Sequence, residues 1–521
     1  MSKEKVFIAG AAGSMGFETF KSVWNKCDTN GDRRFDIVLL LFDSRKNRKL
    51  LAPYLFECGI GFSRSKIIEK NGLKVIWGDG RKYEDIQKAV SGVDFVLNCM
   101  AIISPRAEKE PENTKNTNLK AVEYIIKAIK EQPNGTEHIR FVNVGSIAEY
   151  GDRMGRIHAG RVGDPVVVSP FDIYAITKVK AERLVIESGL KHWVQLRQTF
   201  IMIPNVFSLE DPIMFHQPIG CFMENITARA AGKGMANCLE IPHNSDFWRK
   251  VYNMGGGPEC RTNYLDFLND MFGLMGLRYQ KIFERKWFAL RNFHMQYYAD
   301  SNILNEYLNH WGDTLDDFKK SVSHNLPWYL KTVVKLNKSV PAFRNMVEKI
   351  TRRRMKNMAM RRTGNLRWIT ENNDLRIAAF YGSRDAYDAI PDWDAPLPEG
   401  LAGTPEPECI QLNHGYDQTK ESLEVSDLQS AANFRGGKLI SEEWDQDMYC
   451  QMVWECEFGH RFEASAYAVL KAGHWCTVCE APPWNYDEIA RRNPFFAQVW
   501  HESHSPDEDH FYPELCYDDI L

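Results

Sequence analysis

A glycine-rich turn between a strand-like run and a helix-like run opens the chain and constrains its fold more than any other feature. The run Lys5–Ala9 is apolar, three glycines follow at intervals of three, and an amphipathic stretch continues to about Trp24. In such a β–turn–α unit, the glycines let backbone N–H groups approach a pyrophosphate at the positive end of the helix. The pattern predicts a dinucleotide-binding unit rather than a plain tight turn. Its expected cofactor-binding residues are Gly10, Gly13, Ser14, Met15 and Gly16.

Further strand-like runs alternate with helical periodicity through the first half of the chain. They are Phe35–Phe42, Val75–Gly80, Val93–Ala101, Arg140–Ser146 and Trp193–Arg197. Strands that alternate with helices at this rhythm predict an α/β fold with a doubly wound parallel sheet of the Rossmann type. Ligands of such sheets bind beyond the carboxyl ends of the strands, so polar residues there are candidate site residues.

Two signals concern the choice between NAD and NADP. Asp43 follows the second strand-like run, where a carboxylate can bind both adenosine ribose hydroxyls and repel a 2′-phosphate. Arg45 comes two residues later in a basic cluster, and guanidinium groups can hold that same phosphate. Asp43 favours NAD because it lies at the strand end itself, while the basic cluster leaves NADP open. Asp79, after the third run, is expected to meet the adenine.

A tyrosine and a lysine four residues apart, Tyr174 and Lys178, lie in a segment that otherwise reads as a helix. This spacing places both side chains on one helix face, about one turn apart. There the ammonium can lower the pKa of the phenol and hold a ribose hydroxyl beside it. Ser146 ends a strand-like run and Asn118 opens a periodic helix. Both residue types are also common at such ends for structural reasons.

Residues 1 to about 270 resemble the extended short-chain dehydrogenase/reductase superfamily, of the NAD-dependent epimerase/dehydratase kind. The matching features are the glycine pattern, Gly78–Asp79, Asn118, Ser146, Tyr174, Lys178 and the loop-and-turn region Tyr252–Gly257. The resemblance implies that Tyr174 exchanges the substrate's hydroxyl proton and that Ser146 hydrogen-bonds the developing alkoxide. It also implies that Lys178 binds the nicotinamide ribose and that Asn118 helps a proton-relay water. A homodimer through the helices near Asn118 and Tyr174 is implied as well.

Local departures from that superfamily bear on the reaction. Dehydratases carry an Asp–Glu pair directly after the serine, because elimination of water needs an added acid and base, and Ile147 and Ala148 stand there instead. The two stretches 200–207 and 214–223 are apolar and aromatic, which suits a bulky apolar ketone or alcohol. We therefore expect an NAD(P)-dependent oxidoreductase acting on a carbonyl or alcohol. An epimerase or isomerase that retains its cofactor, and a nicotinamide-sensing binding protein, remain alternatives.

The rest of the chain is expected to add three parts to a catalytic domain at 1–279: a helical extension at 280–390, a linker or wrap at 391–440 and a zinc-stabilised module at 441–521. The basic stretch Arg352–Arg362 is interpreted as an amphipathic helix with inward-facing methionines, although it could also grip an acidic partner. Nucleic acid is not an expected partner.

Four residues near the C-terminus have the spacing of a structural zinc site. Cys456 and His460 are followed, after about fifteen residues, by the pair Cys476 and Cys479. This arrangement resembles zinc-ribbon and treble-clef modules. Four protein ligands leave no open position, so the zinc is expected to stabilise the fold rather than catalyse. Cys450 or His474 could replace one ligand.

Composition excludes some classes of protein. The net charge of −4 gives no general reason to expect nucleic acid or an anionic membrane as partner. No apolar run approaches the roughly 20 residues that span a bilayer. The twelve cysteines are scattered apart from the C-terminal group, which favours a reduced, cytoplasmic protein.

Overall fold

One large sheet forms the centre of the protein, whose computed structural model describes residues 3–61, 63, 65–154, 159–204, 211–396, 409–480 and 482–513. The strands of the protein are β1 (Glu4–Ala9), β2 (Phe35–Leu41), β3 (Ile67–Lys70), β4 (Leu73–Trp77), β5 (Phe95–Asn98), β6 (Arg140–Val144), β7 (Ala159–Gly160), β8 (Trp193–Gln198), β9 (Phe200–Met202), β10 (Phe222–Thr227), β11 (Lys250–Met254), β12 (Arg261–Asn263), β13 (Tyr297–Tyr298), β14 (Lys438–Leu439), β15 (Gln451–Glu455) and β16 (Arg461–Ser465).

Eight of these strands build the large sheet in the order β11-β8-β6-β5-β1-β2-β4-β3. All neighbours are parallel except β3 and β4, which pair antiparallel at one edge. The predicted doubly wound parallel sheet is therefore confirmed. Two strands were not predicted. β3 is mostly exposed, so it lacks an apolar run, and β11 falls partly in the segment that was interpreted as a loop and turn.

Helices connect the strands and continue beyond them. The α-helices are α1 (Ser14–Trp24), α2 (Arg45–Glu57), α3 (Tyr83–Val90), α4 (Arg106–Lys109), α5 (Pro111–Lys115), α6 (Ala121–Lys130), α7 (Gly135–His138), α8 (Ile173–Ile186), α9 (Ile213–His216), α10 (Ala228–Asn237), α11 (Tyr264–Leu274), α12 (Tyr279–Ile282), α13 (Ser301–Leu308), α14 (Leu315–Asn325), α15 (Trp328–Ser339), α16 (Pro341–Ala359), α17 (Asn365–Thr370), α18 (Asp374–Tyr381), α19 (Arg384–Asp388), α20 (Val425–Phe434), α21 (Tyr486–Arg492) and α22 (Pro494–Trp500).

Apolar side chains cover both faces of the sheet, as a doubly wound fold requires. On one face α1, α2 and α10 contribute residues such as Phe20, Leu51 and Met235 to a buried cluster with the strands. On the other face α3, α6 and α8 do the same. That second cluster continues without interruption into the C-terminal segment, where Trp454 and Trp475 are buried.

Residues 280–390, where a helical extension is predicted, contain α13 to α19, and the basic stretch lies mainly on α16. Of these helices, α13 packs on the sheet, with Leu304 and Leu308 in the cluster of α1, α2 and α10. Met355 and Met358 of this helix are buried in an apolar cluster, while Arg352 pairs with Glu284. This arrangement agrees with the interpretation of the stretch as an amphipathic helix. No helix in the described part of the chain is both long and apolar enough to cross a bilayer.

The C-terminal segment packs directly on α8. Arg183 donates to the Trp475 carbonyl at 2.8 Å and pairs with Glu480 at 2.7 Å. The Glu187 carboxylate accepts from the backbone N–H of Ser465 at 3.0 Å. The predicted domain boundaries remain a prediction. Of the predicted linker, residues 397–408 lie outside the described residues, as do residues 205–207 of the apolar stretch 200–207.

Candidate active site and metal cluster

The glycine turn has the geometry that a dinucleotide pyrophosphate needs. Gly10 has a φ of +77°, and a Cβ there would lie 2.7 Å from the Cys99 backbone. A Cβ on Gly16 would lie 2.2 Å from the Gly10 carbonyl oxygen, so the turn packs tightly against its own helix. Among the described residues, no side chain caps the start of α1 after Gly13. Its first N–H groups are therefore not capped by a side chain, which suits an anion. The predicted binding of a pyrophosphate by this turn, with Ser14 and Met15, remains a prediction.

Asp43 lies just beyond β2, where it was predicted to meet the adenosine ribose. Arg48 holds its carboxylate with hydrogen bonds of 2.5 and 2.9 Å and lowers the pKa of that carboxyl. The Arg48 guanidinium also lies 4.5 Å from the centre of the Trp77 ring. Arg48 is thus occupied by Asp43, whereas Arg45 is exposed at the start of α2.

Asp79 follows β4 and is engaged by Arg81. The guanidinium donates to the Asp79 carboxylate at 2.8 to 3.2 Å, and the Arg81 backbone N–H adds a bond of 2.9 Å. These donors lower the pKa of Asp79 despite its partial burial. The carboxylate thus already accepts hydrogen bonds from Arg81. Nothing in the structure tests its predicted contact with the adenine.

Ser146, Tyr174 and Lys178 come together at the carboxyl end of the sheet. Ser146 follows β6, and its hydroxyl is close enough to the Tyr174 phenol to oppose, in part, the rise that burial causes in the phenol's pKa. Lys178 lies one turn after Tyr174 on α8, with its Nζ 5.9 Å from the centre of the phenol ring. The Lys178 ammonium donates to the Val144 carbonyl at 2.7 Å. The three predicted catalytic residues therefore form one cluster.

Burial controls the ionisation of this cluster. It raises the pKa of the Tyr174 phenol well above its ordinary value, and the nearby Glu149 and Asp172 raise it further. Burial lowers the pKa of Lys178 to about 8, against the opposing influence of Glu149. The tyrosine is thus a neutral proton donor near neutral pH, which is the state needed to protonate an alkoxide.

Asn118 is buried on a π-helical turn, Asn116–Lys120, and ties three segments together. Its amide nitrogen donates to the Ile102 carbonyl at 2.9 Å and to the Thr177 hydroxyl at 3.1 Å. Its oxygen accepts from the Ile102 N–H at 2.8 Å. Both amide hydrogens are therefore used within the protein, so the side chain positions the loop after β5. Its predicted role with a relay water remains untested.

A crevice at the start of α8, the helix of Tyr174, has a lining that is aromatic and ionisable and includes none of the three cluster residues. It is lined by residues that include Ser104, Glu108, Ser169, Phe171, Asp172, His216, His294, Trp368 and Phe380. Asp172 caps α8, the helix of Tyr174, and pairs with His294 at 2.6 Å. Burial and the neighbouring Asp172 raise the pKa of Glu108 to about 7.

Two polar groups of the crevice have no hydrogen-bond partner within the described residues. They are the second carboxylate oxygen of Glu108 and the hydroxyl of Ser169, which is 4% exposed. His216 is engaged instead, because its Nε2 lies 2.9 Å from the Thr363 carbonyl. The crevice therefore offers unpaired polar atoms beside aromatic walls, as a substrate site does. Sequence reasoning named none of Glu108, Ser169 and His294.

The four predicted zinc ligands meet in one cluster. Cys456 follows β15 and His460 precedes β16, so the hairpin turn carries both, while Cys476 and Cys479 approach from a later loop. The His460 Nδ1 lies 3.4 to 3.7 Å from the three sulfurs, and the sulfurs of Cys456 and Cys479 are 3.9 Å apart. A tetrahedral zinc with Zn–S near 2.3 Å and Zn–N near 2.0 Å requires edges of about this length.

The N-terminal part of the chain matches a known family model, that of the NAD dependent epimerase/dehydratase family, over residues 6–248. This span includes the glycine turn and the Ser146 cluster. No curated protein sequence matches the chain.

Several solved structures are similar in outline. A dTDP-glucose 4,6-dehydratase from Bacillus anthracis, in complex with NAD, is 14% identical with a TM-score of 0.45 and covers 63% of this chain and 97% of its own. The UDP-Glc/GlcNAc 4-epimerase from Campylobacter jejuni is 13% identical with a TM-score of 0.45, covering 63% of this chain and 99% of its own. The WbmF enzyme from Bordetella bronchiseptica, in complex with NADH, is 10% identical with a TM-score of 0.41, covering 66% and 98%.

Proposed function

We propose that this protein is an NAD-dependent oxidoreductase that interconverts a carbonyl and an alcohol on a bulky substrate. The observation that carries the proposal is the cluster of Ser146, Tyr174 and Lys178 at the carboxyl end of the sheet. A phenol, a hydroxyl and an ammonium together supply a proton donor, an oxyanion partner and a cation. The family match over residues 6–248 supports nicotinamide chemistry at this place.

Each residue of the cluster has a distinct task in this proposal. The Tyr174 phenol gives its proton to the oxygen of the reacting carbon, and in the opposite direction removes it. The Ser146 hydroxyl donates to the same oxygen as its charge develops. The Lys178 ammonium stabilises the phenolate that remains and orients a ribose hydroxyl. The protein thus polarises the carbonyl and moves one proton.

The residues present fit a dinucleotide cofactor. The tight glycine turn and the open first turn of α1 would hold the pyrophosphate, and Asp43 would bind the ribose hydroxyls. A bound nicotinamide supplies hydride transfer. NAD is favoured over NADP because the Asp43 carboxylate is held at the strand end by Arg48, which is then not free for a 2′-phosphate.

The crevice at the start of α8, whose lining includes Phe171 and Asp172, is the proposed substrate site. Phe171, Trp368 and Phe380 give it aromatic walls, which favours a bulky, largely apolar substrate. The unpaired oxygens of Glu108 and Ser169 would accept or donate one further hydrogen bond to it. Trp368 and Phe380 belong to the helical extension, which gives that extension a part in substrate binding.

A second candidate function is an epimerase or isomerase that keeps its cofactor bound. The description of the matched family, NAD dependent epimerase/dehydratase, favours it. The two functions differ in cofactor use. An oxidoreductase consumes added NADH or NAD stoichiometrically with substrate, whereas the alternative converts substrate without net change in the cofactor.

The experiment has two stages. NADH binding is first measured by energy transfer from tryptophan, and turnover is then screened with bulky aromatic and alicyclic ketones and alcohols. We expect NADH to bind, and at least one compound to be turned over with a Tyr174→Phe rate lower by at least about a hundredfold. Unchanged NADH binding in Tyr174→Phe is the control. Absence of NADH binding by the native protein would refute the proposed function.

We also propose that Cys456, His460, Cys476 and Cys479 hold one structural zinc ion. The spacing of the four ligand atoms supports this, as does the backbone N–H of Phe458, which points at the Cys456 sulfur at 3.4 Å. Such N–H groups stabilise a metal-bound thiolate. With four protein ligands, the zinc would fix the β15–β16 hairpin to the following loop.

A further inference from the structure

Four ionisable side chains with no exposed surface lie behind the Ser146 cluster. They are Glu149, Glu182, Arg197 and His474, each 0% exposed. They come from four separate segments: the turn after β6, helix α8, strand β8 and the C-terminal segment. Burial of so many ionisable groups is costly unless every group is paired, so the arrangement requires an explanation.

The first link joins Glu149 to Ser146. The Glu149 carboxylate accepts from the Ser146 backbone N–H at 2.7 Å, and the Ser146 hydroxyl accepts from the Ala148 N–H at 3.1 Å. This reciprocal pair is a capping box on a short 3₁₀ turn. Gly145 makes room for it, since a Cβ there would lie 2.6 Å from the Glu149 carboxylate. Glu149 therefore fixes the backbone that carries the Ser146 hydroxyl.

The second link joins Glu149 to the helix that carries Tyr174. Arg197 lies between two carboxylates, 3.3 Å from Glu149 and 2.5 Å from Glu182. Glu182 is on α8, one turn after Lys178. One guanidinium thus connects the serine turn to the helix of the other two cluster residues.

The third link comes from the C-terminal segment. The His474 Nε2 lies 2.9 Å from the Glu182 carboxylate, and Arg197 donates to the Ala472 carbonyl at 2.6 Å. Without these two contacts, Glu182 and Arg197 would each lose a buried hydrogen bond. Residues 472–474 therefore complete the network from outside the N-terminal α/β part.

We propose that Glu149 is a positioning residue for Ser146, and that Ala472 and His474 hold it in place through Arg197 and Glu182. The inference rests on the proposed function, because the position of Ser146 matters chemically only if its hydroxyl assists Tyr174. It assigns the C-terminal segment a part in the active site, although none of its residues belongs to the Ser146 cluster.

The test places a spectroscopic reporter at the phenol. Tyr174→3-nitrotyrosine, introduced genetically, has a far lower ordinary pKa than tyrosine, so it ionises at accessible pH even with the rise that burial causes, and its phenolate has a distinct visible absorption. A hydrogen bond from Ser146 stabilises that phenolate and lowers the reporter's pKa. Ser146→Ala in this background gives the shift expected when the hydroxyl is lost, a rise of about one pKa unit.

Glu149→Ala and Glu149→Gln both remove the Glu149 carboxyl, which itself raises the pKa of the phenol, so these two variants are compared with each other. The reporter's pKa should be higher in Glu149→Ala than in Glu149→Gln by most of that shift, because only in Glu149→Ala does the Ser146 N–H lose its acceptor. Glu149→Gln keeps an acceptor oxygen and is expected not to raise it. His474→Ala should raise it in the same direction, while His501→Ala, elsewhere in the C-terminal segment, should leave it unchanged. Glu149→Met, which keeps the length but not the acceptor, replaces Glu149→Ala if that variant does not fold.

A reporter pKa that is the same in a folded Glu149→Ala or Glu149→Met variant as in Glu149→Gln would overturn the positioning role. An unchanged pKa in a folded His474→Ala variant that retains its zinc would remove the C-terminal contribution. Binding of NADH by the native protein is measured in parallel. Its absence refutes the proposed function, whereas binding together with an unmoved reporter refutes only this inference.

Discussion

At the scale of single residues, environment decides the chemistry more than residue type does. Tyr174 and Lys178 lie on one helix, yet burial shifts their pKa values in opposite directions and keeps the phenol protonated. Ser146 and Asn118 look alike in sequence as polar residues at element ends. In the structure one contacts the phenol, whereas the other uses both amide hydrogens within the fold.

Asp43 is expected to set the preference for NAD. Replacing it by Asn removes a charged hydrogen-bond acceptor, so NADH binding by Asp43→Asn should weaken about tenfold. NADPH binding should strengthen, because the repulsion of a 2′-phosphate is lost and Arg48 is released. Titrations with both cofactors test this, with Asp32→Asn as an exposed control. Equal affinities of Asp43→Asn and native protein for NADH would contradict the assignment.

Glu108 is expected to make stability depend on pH. Its pKa is raised from 4.5 to about 7 in the folded protein, so folding favours the protonated carboxyl. That contribution is complete below about pH 4.5 and is lost as the pH rises toward 7. At pH 8 the free energy of unfolding of Glu108→Gln should therefore exceed that of the native protein by up to ~3 kcal/mol, and the variant should unfold at a higher denaturant concentration. At pH 4 the two proteins should have about the same stability.

Urea unfolding at both pH values measures this difference. Glu112→Gln, on the neighbouring short helix, serves as the matched control and should show no pH-dependent gain. A stability difference for Glu108→Gln that is the same at pH 4 and pH 8 would show that the native carboxyl is not perturbed.

At the scale of elements, the sequence predicted what is encoded locally. β1, β2, β5, β6 and β8 are buried, mainly apolar runs and were predicted within a few residues. β3 and β11 were missed. These two strands are recognised by their pairing with β4 and β8 in the structure. Their amino-acid composition alone does not predict a strand. The cluster of Cys456, His460, Cys476 and Cys479 was predicted because the four residues follow the spacing of a structural zinc site.

The buried network behind Ser146 could be predicted only in part. The Ser–x–x–Glu pattern of Ser146 and Glu149 is a capping-box signature, which the sequence does display. Its connection to Arg197, Glu182 and His474 depends on how distant segments pack. No local sequence pattern predicts that connection.

Zinc binding is expected to stabilise the β15–β16 hairpin. Purified protein should contain one equivalent of zinc, and Cys479→Ser should lower both zinc content and melting temperature, because metal binding contributes directly to folding. Cys450→Ser is the matched control, since Cys450 is near the hairpin but outside the cluster. Metal analysis and thermal unfolding measure both effects. Native protein without zinc would refute the site.

At the scale of the whole molecule, the C-terminal segment is continuous with the α/β part. Its apolar residues share one buried cluster with α3, α6 and α8, and its polar contacts reach Arg183 and Glu187 on α8. The side of α8 that faces this segment is therefore covered within the same chain.

The packing of the C-terminal segment on α8 is relevant to the oligomeric state. A homodimer was expected through the helices near Asn118 and Tyr174, and it remains untested. Because the C-terminal segment already occupies part of α8, we expect a monomer of 60.2 kDa in light scattering coupled to size exclusion. A dimeric mass for the native protein would contradict this expectation.

The contact between His474 and Glu182 has a consequence for biosynthesis. During translation, the segment that contains Glu149, Glu182 and Arg197 leaves the ribosomal exit tunnel long before residues 472–474 do. Until then the nascent α/β part holds an incompletely compensated cluster of ions and an uncovered apolar face. Under the proposed role of residues 472–474, the serine turn reaches its final form only near the end of translation, and a stalled or truncated product emerges without the contacts that hold Ser146 in place.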